Sequence, residues 1–231
     1  MKLSKCLEVR DNMDTSKMVK SVLGDMRKTI DELYSKNFVR DYRQESCRKT
    51  AKDTYEISFS GKDNNVCNIV YDEHISGEEM MEQLLKSYQY TILLYDKSII
   101  QAEFIIKDEK IAKERLVFMK RHNKIWNMDE IDECEILEQD WFSEEKGIPI
   151  VFRIDYAPND HIDGDHSATH LTLSNHQSCR VPIKGIVTFS EFVRFILLHF
   201  YDIKMDLKQC RSNTDDTITQ IEKQMVHINW E

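Results

Sequence analysis

Ser98-Ile-Ile-Gln-Ala-Glu-Phe-Ile-Ile-Lys107 reads with a period of two. Ile100, Ala102, Phe104 and Ile106 share one parity, and Gln101 and Glu103 the other. Successive strand side chains point to opposite faces, so this pattern predicts a strand with one buried face. Asp96-Lys97 and Asp108-Glu109 bracket it as turns. They join it to a strand at 91–95 before it and one at 111–119 after it. In the latter, Leu116 and Phe118 share one face, and Arg115 and Val117 the other. The result is a three-stranded antiparallel meander.

Toward the N-terminus, Ser76-Gly-Glu-Glu79 fits a capping box and predicts a helix to about Ser87. Segments 55–59 and 65–71 read as two strands around a turn at Gly61-Lys-Asp-Asn64. The stretch 41–53, with neighbouring Arg40, is polar and basic, carrying Arg43, Arg48, Lys49 and Lys52. It reads as a solvated helix face or loop, or as a phosphate contact. Residues 14–38 form a helix, because Val19, Val22, Met26, Ile30 and Leu33 recur at three- and four-residue spacing.

Toward the C-terminus, 123–146 reads as an acidic, irregular connection with a short helix, anchored by Trp126 and Trp141. Segments 149–156, 170–174 and 180–183 read as strands, with a polar loop at 157–169. Thr188-Phe-Ser-Glu191 is a second capping box opening an apolar helix through Phe192, Val193, Ile196, Leu197 and Phe200. The polar tail from Lys204 reads as a peripheral helix. These elements predict one α+β domain over 1–231: a helical region at 14–53, a sheet core at 55–183 and helices at 188–231. Its antiparallel sheet, meander plus C-terminal strands, is packed by the N-terminal helix and the C-terminal apolar helix.

Composition narrows the class. The chain has 231 residues, a formal charge of −9, and only 3 prolines and 6 glycines. Low Pro and Gly content argues against an all-β chain rich in turns and against a flexible linker. The acidic balance argues against indiscriminate phosphate binding but leaves a local basic patch open. Cys6, Cys47, Cys67, Cys134, Cys179 and Cys210 contain no C-x-x-C pair, which disfavours a zinc ribbon or thioredoxin motif. With no secretory signal and no long apolar run, the expectation is a cytoplasmic protein with reduced thiols and no membrane span.

Chemistry concentrates between Ile148 and Tyr201. All three prolines (Pro149, Pro158 and Pro182) lie there, and four of the eight histidines fall between His161 and His176, close to Asp155, Asp160, Asp163 and Asp165. Parity puts Arg153 and Asp155 on one face of a strand, and Ile150, Phe152, Ile154 and Tyr156 on the other. His170 and Thr172 share a face of a later strand, and Arg180 stands on a third. If these strands are antiparallel neighbours, His170 becomes a general acid or base oriented by Asp155, with His166 in reserve. Arg153, Arg180 and Tyr156 would then bind substrate. The competing reading makes Arg153 and Asp155 a structural ion pair and His170 a satisfied core-edge histidine. His166 and His170 have helical zinc spacing, but their context is a loop and no H-E-x-x-H occurs. The Asp and His residues from Asp155 to His170 could still supply metal ligands, so a metal-binding sensor stays open as a third reading, with no ligand assigned and the cofactor unknown. There is no phosphate-binding glycine loop, nucleophile elbow or kinase motif, and Cys179 beside Arg180 reads more simply as a small hydrophobe than as a reactive thiol.

Over roughly residues 80–205 the chain resembles an uncharacterised bacterial family known as a domain of unknown function. The resemblance is carried by Tyr90-Thr-Ile-Leu-Leu-Tyr-Asp96 with Ser98 and Gln101, by Arg115-Leu116 and by Arg153-Ile-Asp-Tyr156 with Pro158. His170-Leu-Thr-Leu173, Cys179-Arg-Val-Pro182 and the stretch from Phe192 to Tyr201 complete it. It implies a prokaryotic, cytosolic protein, similar to accessory or effector parts of mobile-element, toxin or phage-defence operons. The expectation is an effector acting on nucleic acid or nucleotide phosphodiesters. The alternative is a non-catalytic subunit that uses the 14–38 helix and the tryptophans to bind a protein encoded nearby, such as an ATPase or nuclease.

Overall fold

The structure, a computed structural model, describes residues 16–72, 74–120, 150–173, 179–207 and 216–229. The connection at 123–146, with Trp126 and Trp141, lies outside the described residues. The fold is α+β. Helix α1 (Lys17–Ser35) starts at Ser16, whose hydroxyl accepts from the Val19 amide. It buries Val19, Val22, Met26, Ile30 and Leu33, the stripe visible in the sequence.

Among the described residues ten strands form the sheet: β1 (Val39–Tyr42), β2 (Glu45–Ala51), β3 (Thr54–Phe59), β4 (Ile92–Leu94), β5 (Ile99–Lys107), β6 (Lys110–Lys120), β7 (Ile150–Tyr156), β8 (Thr169–Leu173), β9 (Arg180–Lys184) and β10 (Ile228–Asn229). The central order is β4-β5-β6-β7-β8-β9, antiparallel throughout. One edge of β5 is shared: β4 pairs with Ile99 and Ile100, and β3 with Phe104 to Lys107. β1 continues beyond β4, β2 beyond β3, and β10 closes the far edge parallel to β9.

Alternation along the central strands gives the sheet two unlike faces. On the first, Ile100, Ala102, Phe104, Leu116, Phe118, Phe152, Ile154 and Leu171 meet α1 and helix α4 (Phe189–Tyr201) in the main core. Both halves of the Thr188–Glu191 capping box are present at the start of α4. Buried Asp25 of α1 also accepts the Ser190 amide at 3.1 Å, placing a carboxylate at the N-terminus of α4. On the second face, helix α3 (Gly77–Lys86) sets Met80, Met81 and Leu84 against Ile99, Val117, Met119 and Val151. The remainder of that face is polar. Among the described residues, no helix is long and apolar enough to cross a membrane.

Three expectations are corrected. Segment 65–71 is not a strand: Asp63 accepts from the Asn65 amide and opens helix α2 (Asn64–Cys67), followed by a 3-10 turn at Asn68–Tyr71. The partner of β3 is instead β2, so the basic stretch is strand rather than helix or loop, and the helical part of the N-terminal region ends at Ser35. The described part of the tail carries a 3-10 turn (Glu222–Gln224) and β10 rather than a helix.

Phe192 is fully buried between the sheet and α1. Phe192→Ala should cost about 3–5 kcal/mol, whereas Thr188→Ala should cost about 1 kcal/mol through the lost cap. Urea unfolding of the two variants checks this ordering.

Candidate active site

The polar part of the second face is built by register. Arg115 of β6 pairs with Asp155 of β7, Asp155 with His170 of β8, Arg153 with Thr172, and Thr172 with Arg180 of β9. Directly opposed residues in antiparallel strands share a face. Arg115, Arg153, Asp155, His170, Thr172 and Arg180 therefore form a continuous polar surface.

Asp155 lies at its centre. Its Oδ2 accepts from Arg153 Nε at 2.6 Å and its Oδ1 from Arg115 Nε at 3.4 Å. Arg115 continues to Glu103 at 3.8 Å, Glu103 to Lys62 at 2.8 Å, Lys62 to Glu56 at 3.4 Å, and Glu56 to Arg48 at 2.7 Å. Alternating charges thus run from the β2 edge to the middle of the sheet. Arg153 and Asp155 are 5% and 8% exposed, so this is no solvated surface pair. Burial pushes the Arg115 guanidinium down, and the Asp155 charge opposes that.

His170 is 3% exposed. Its Nδ1 is 2.9 Å from the Ser167 carbonyl, which can only accept, so Nδ1 carries the hydrogen. Nε2 is then the basic nitrogen, 3.9 Å from Asp155 Oδ2 and too far for a hydrogen bond. The half-buried His166 ring packs edge-on against His170, with centroids 4.7 Å apart. Burial lowers the pKa of both imidazoles below the ordinary 6.5, and Arg180 lowers His166 further, so both are neutral at pH 7. Arg180 is half-buried and, among the described residues, makes no ion pair. Across from it, the buried Thr172 hydroxyl has no hydrogen-bond partner among the described residues.

The structure therefore brings Arg153, Asp155, His170, His166 and Arg180 to one region. It excludes Tyr156, which has the opposite parity and packs against the main core. The half-buried groups are His166 and Arg180, while Asp155 and His170 lie beneath. The pair the sequence put first, Asp155 and His170, is thus the less exposed of the two in this structure. The basic stretch does not converge on the histidines. β3, β5, β6 and β7 separate β2 from β8, and Arg48, Lys49 and Arg43 engage Glu56, Tyr55 and Tyr88.

Sequence reasoning missed Arg115, Glu103 and Lys62 as members of the row. Parity of β5 and β6 did place Glu103 and Arg115 away from the main core. What it lacked was the register across the β6–β7 connection.

A family model described as "Uncharacterized conserved protein (DUF2290)" matches residues 38–230, and the chain belongs to that family. The match covers β1 to β3, α2 and α3 as well as the motifs seen in sequence. No curated protein and no solved structure matches the chain.

Replacing Asp155 with Asn would remove the charge that buried Arg153 and half-buried Arg115 share. A loss of about 3–5 kcal/mol in urea unfolding is expected. The histidines give a pH signature. A folded-state pKa below the unfolded value means the stabilisation is complete above pH 6.5 and falls as pH drops through the folded value. Wild type should therefore lose more stability than His170→Gln between pH 7.5 and 5. Parallel curves would show that His170 does not titrate differently on folding.

Proposed function

We propose that this DUF2290 chain is a phosphodiester hydrolase acting on nucleic acid or nucleotides, with Arg180 binding phosphate and His166 as general acid or base. The observation that carries this reading is a half-buried arginine without an ion-pair partner among the described residues, beside a neutral histidine of the β7–β8 loop. A guanidinium matches the planar, bidentate geometry of a phosphate. A neutral imidazole can accept a proton from an attacking water and return it to the leaving oxygen. Arg153, Asp155, Arg115 and His170 act as positioning residues. The His170 ring supports His166, and the ion pairs hold the strands that carry them. In a cell, such an activity would suit an effector or accessory protein of a prokaryotic defence, toxin or mobile-element system.

A second reading, a non-catalytic subunit bound to an ATPase or nuclease, draws on another surface. Tyr34, Tyr42 and Tyr88 are 59%, 43% and 56% exposed, and Arg43 lies over Tyr88. Exposed tyrosine and arginine are the residue types that anchor protein interfaces. The apolar stripe of α1 is not available for this role, because the main core already covers it.

The two readings separate experimentally. Wild type, His166→Ala and Arg180→Ala would be incubated with bis-p-nitrophenyl phosphate, DNA and RNA oligonucleotides, and cyclic dinucleotides. Each variant should lose at least about 100-fold in rate with its melting temperature unchanged. The acid limb of kcat should lie below pH 6.5, because His166 titrates lower than a free imidazole. Absence of turnover, or turnover unaffected by both variants, would sink the hydrolase. Light scattering that shows a stable complex with the neighbouring gene product, lost on Tyr42→Ala with Tyr88→Ala, would then favour the subunit.

A further inference from the structure

We propose that His161, Asp163 and Glu222 form a divalent-metal site that staples the C-terminal tail to the loop between β7 and β8. One ligand atom from each residue lies within 4.8 Å of the other two. The donors are an imidazole nitrogen and two carboxylate oxygens, a set that suits zinc, manganese and similar first-row ions.

Charge and geometry carry the assignment together. Glu222 is fully buried and faces a second carboxylate, Asp163. Among the described residues, neither carboxylate pairs with a lysine or arginine, and His161 is the only cationic group that could reach them. A bound cation resolves that repulsion. His161 Nε2 lies 3.3 Å from Glu222 Oε1. Two ligand atoms about 2.0–2.2 Å from one tetrahedral zinc stand about 3.4 Å apart, so this pair is already spaced to share an ion. The exposed Asp163 needs to close by at most about 1.4 Å to join them.

The carboxylates are also braced from outside. The Thr219 amide donates to Glu222 Oε2 at 2.8 Å, and the Thr219 hydroxyl donates to Asp163. One residue thereby orients both ligands, the arrangement that metal sites use to fix their carboxylates. Glu222 Oε1 is left to face His161. Around the cluster the tail is already seated. Thr217 bonds Thr169, Gly185 and the Ile183 carbonyl, and Ile221 lies 3.4 Å from where a Cβ on Gly164 would stand. The site is independent of the hydrolase reading, although the same loop carries His166 and Ser167.

The test uses the full chain, stripped with chelator and then titrated calorimetrically with ZnCl2 and, separately, MnCl2 at pH 7.5. One ion should bind per chain, with the tail amides at 216–229 becoming slower to exchange with deuterium. Binding should weaken at lower pH, where protons compete with the ion for its ligand atoms. His161→Gln and Asp163→Asn change half-buried and exposed positions, so they leave the fold intact. Each should weaken the better ion at least tenfold. Because the chain has six cysteines, Co2+ loading gives a second readout: d–d bands without thiolate charge transfer are expected. No saturable binding, thiolate bands, or affinity unchanged in both variants would overturn the site.

Discussion

The carboxylate of Asp155 between two guanidinium groups is the constraint around which the sheet is organised. Charges removed from water must be paired, because an isolated one is far costlier than a lost contact. Arg153 satisfies Asp155 within β7, and Arg115 reaches it from β6. Slipping either strand by one residue would turn Arg115 or Asp155 into the main core, among Phe118, Phe152 and Ile154. The ion pairs and the apolar core therefore enforce the same register from opposite sides of the sheet.

That two-sidedness also explains where chemistry can be placed. The first face is filled by α1 and α4, and the α3 end of the second by methionine and leucine. The rest of the second face carries the charged row from β2 to β7 and, over β7 to β9, the histidine and arginine cluster. The loop that follows β7 supplies His166 and holds His170 through the Ser167 carbonyl. The buried row gives rigidity, and the loop gives access. Rigid elements beneath an adaptable loop are the usual division of labour in binding and catalytic sites.

Much of this was legible in the residues. Parity along β5 and β7 identified both faces, the α1 stripe its buried side, and Thr188 the start of α4. Segments with weak or local signals were not. β2 is solvent-exposed from Ser46 onward, so no alternation marks it as a strand. Val66, Ile69 and their neighbours have strand-like composition, but a local bond from Asp63 turns the chain into a helix. β10 has two residues and exists only through pairing with β9. At the site, Arg153, Asp155, His170 and Arg180 followed from parity, whereas Arg115 required the register across 121–149. The depth of His170 relative to His166 had no sequence signal at all, because both are histidines four residues apart in one polar segment.

The bond from the Ser190 amide to Asp25 spans 165 positions of the chain. It joins α1 to α4, and that bears on biosynthesis. At roughly 5–20 residues per second, α4 leaves the ribosome on the order of ten to thirty seconds after α1. Throughout that interval Val22, Met26, Ile30 and Leu33 lack the α4 part of the surface that will cover them. Nascent chains of this protein should therefore be long-lived clients of ribosome-associated chaperones, with release coinciding with emergence of the Phe189–Tyr201 helix.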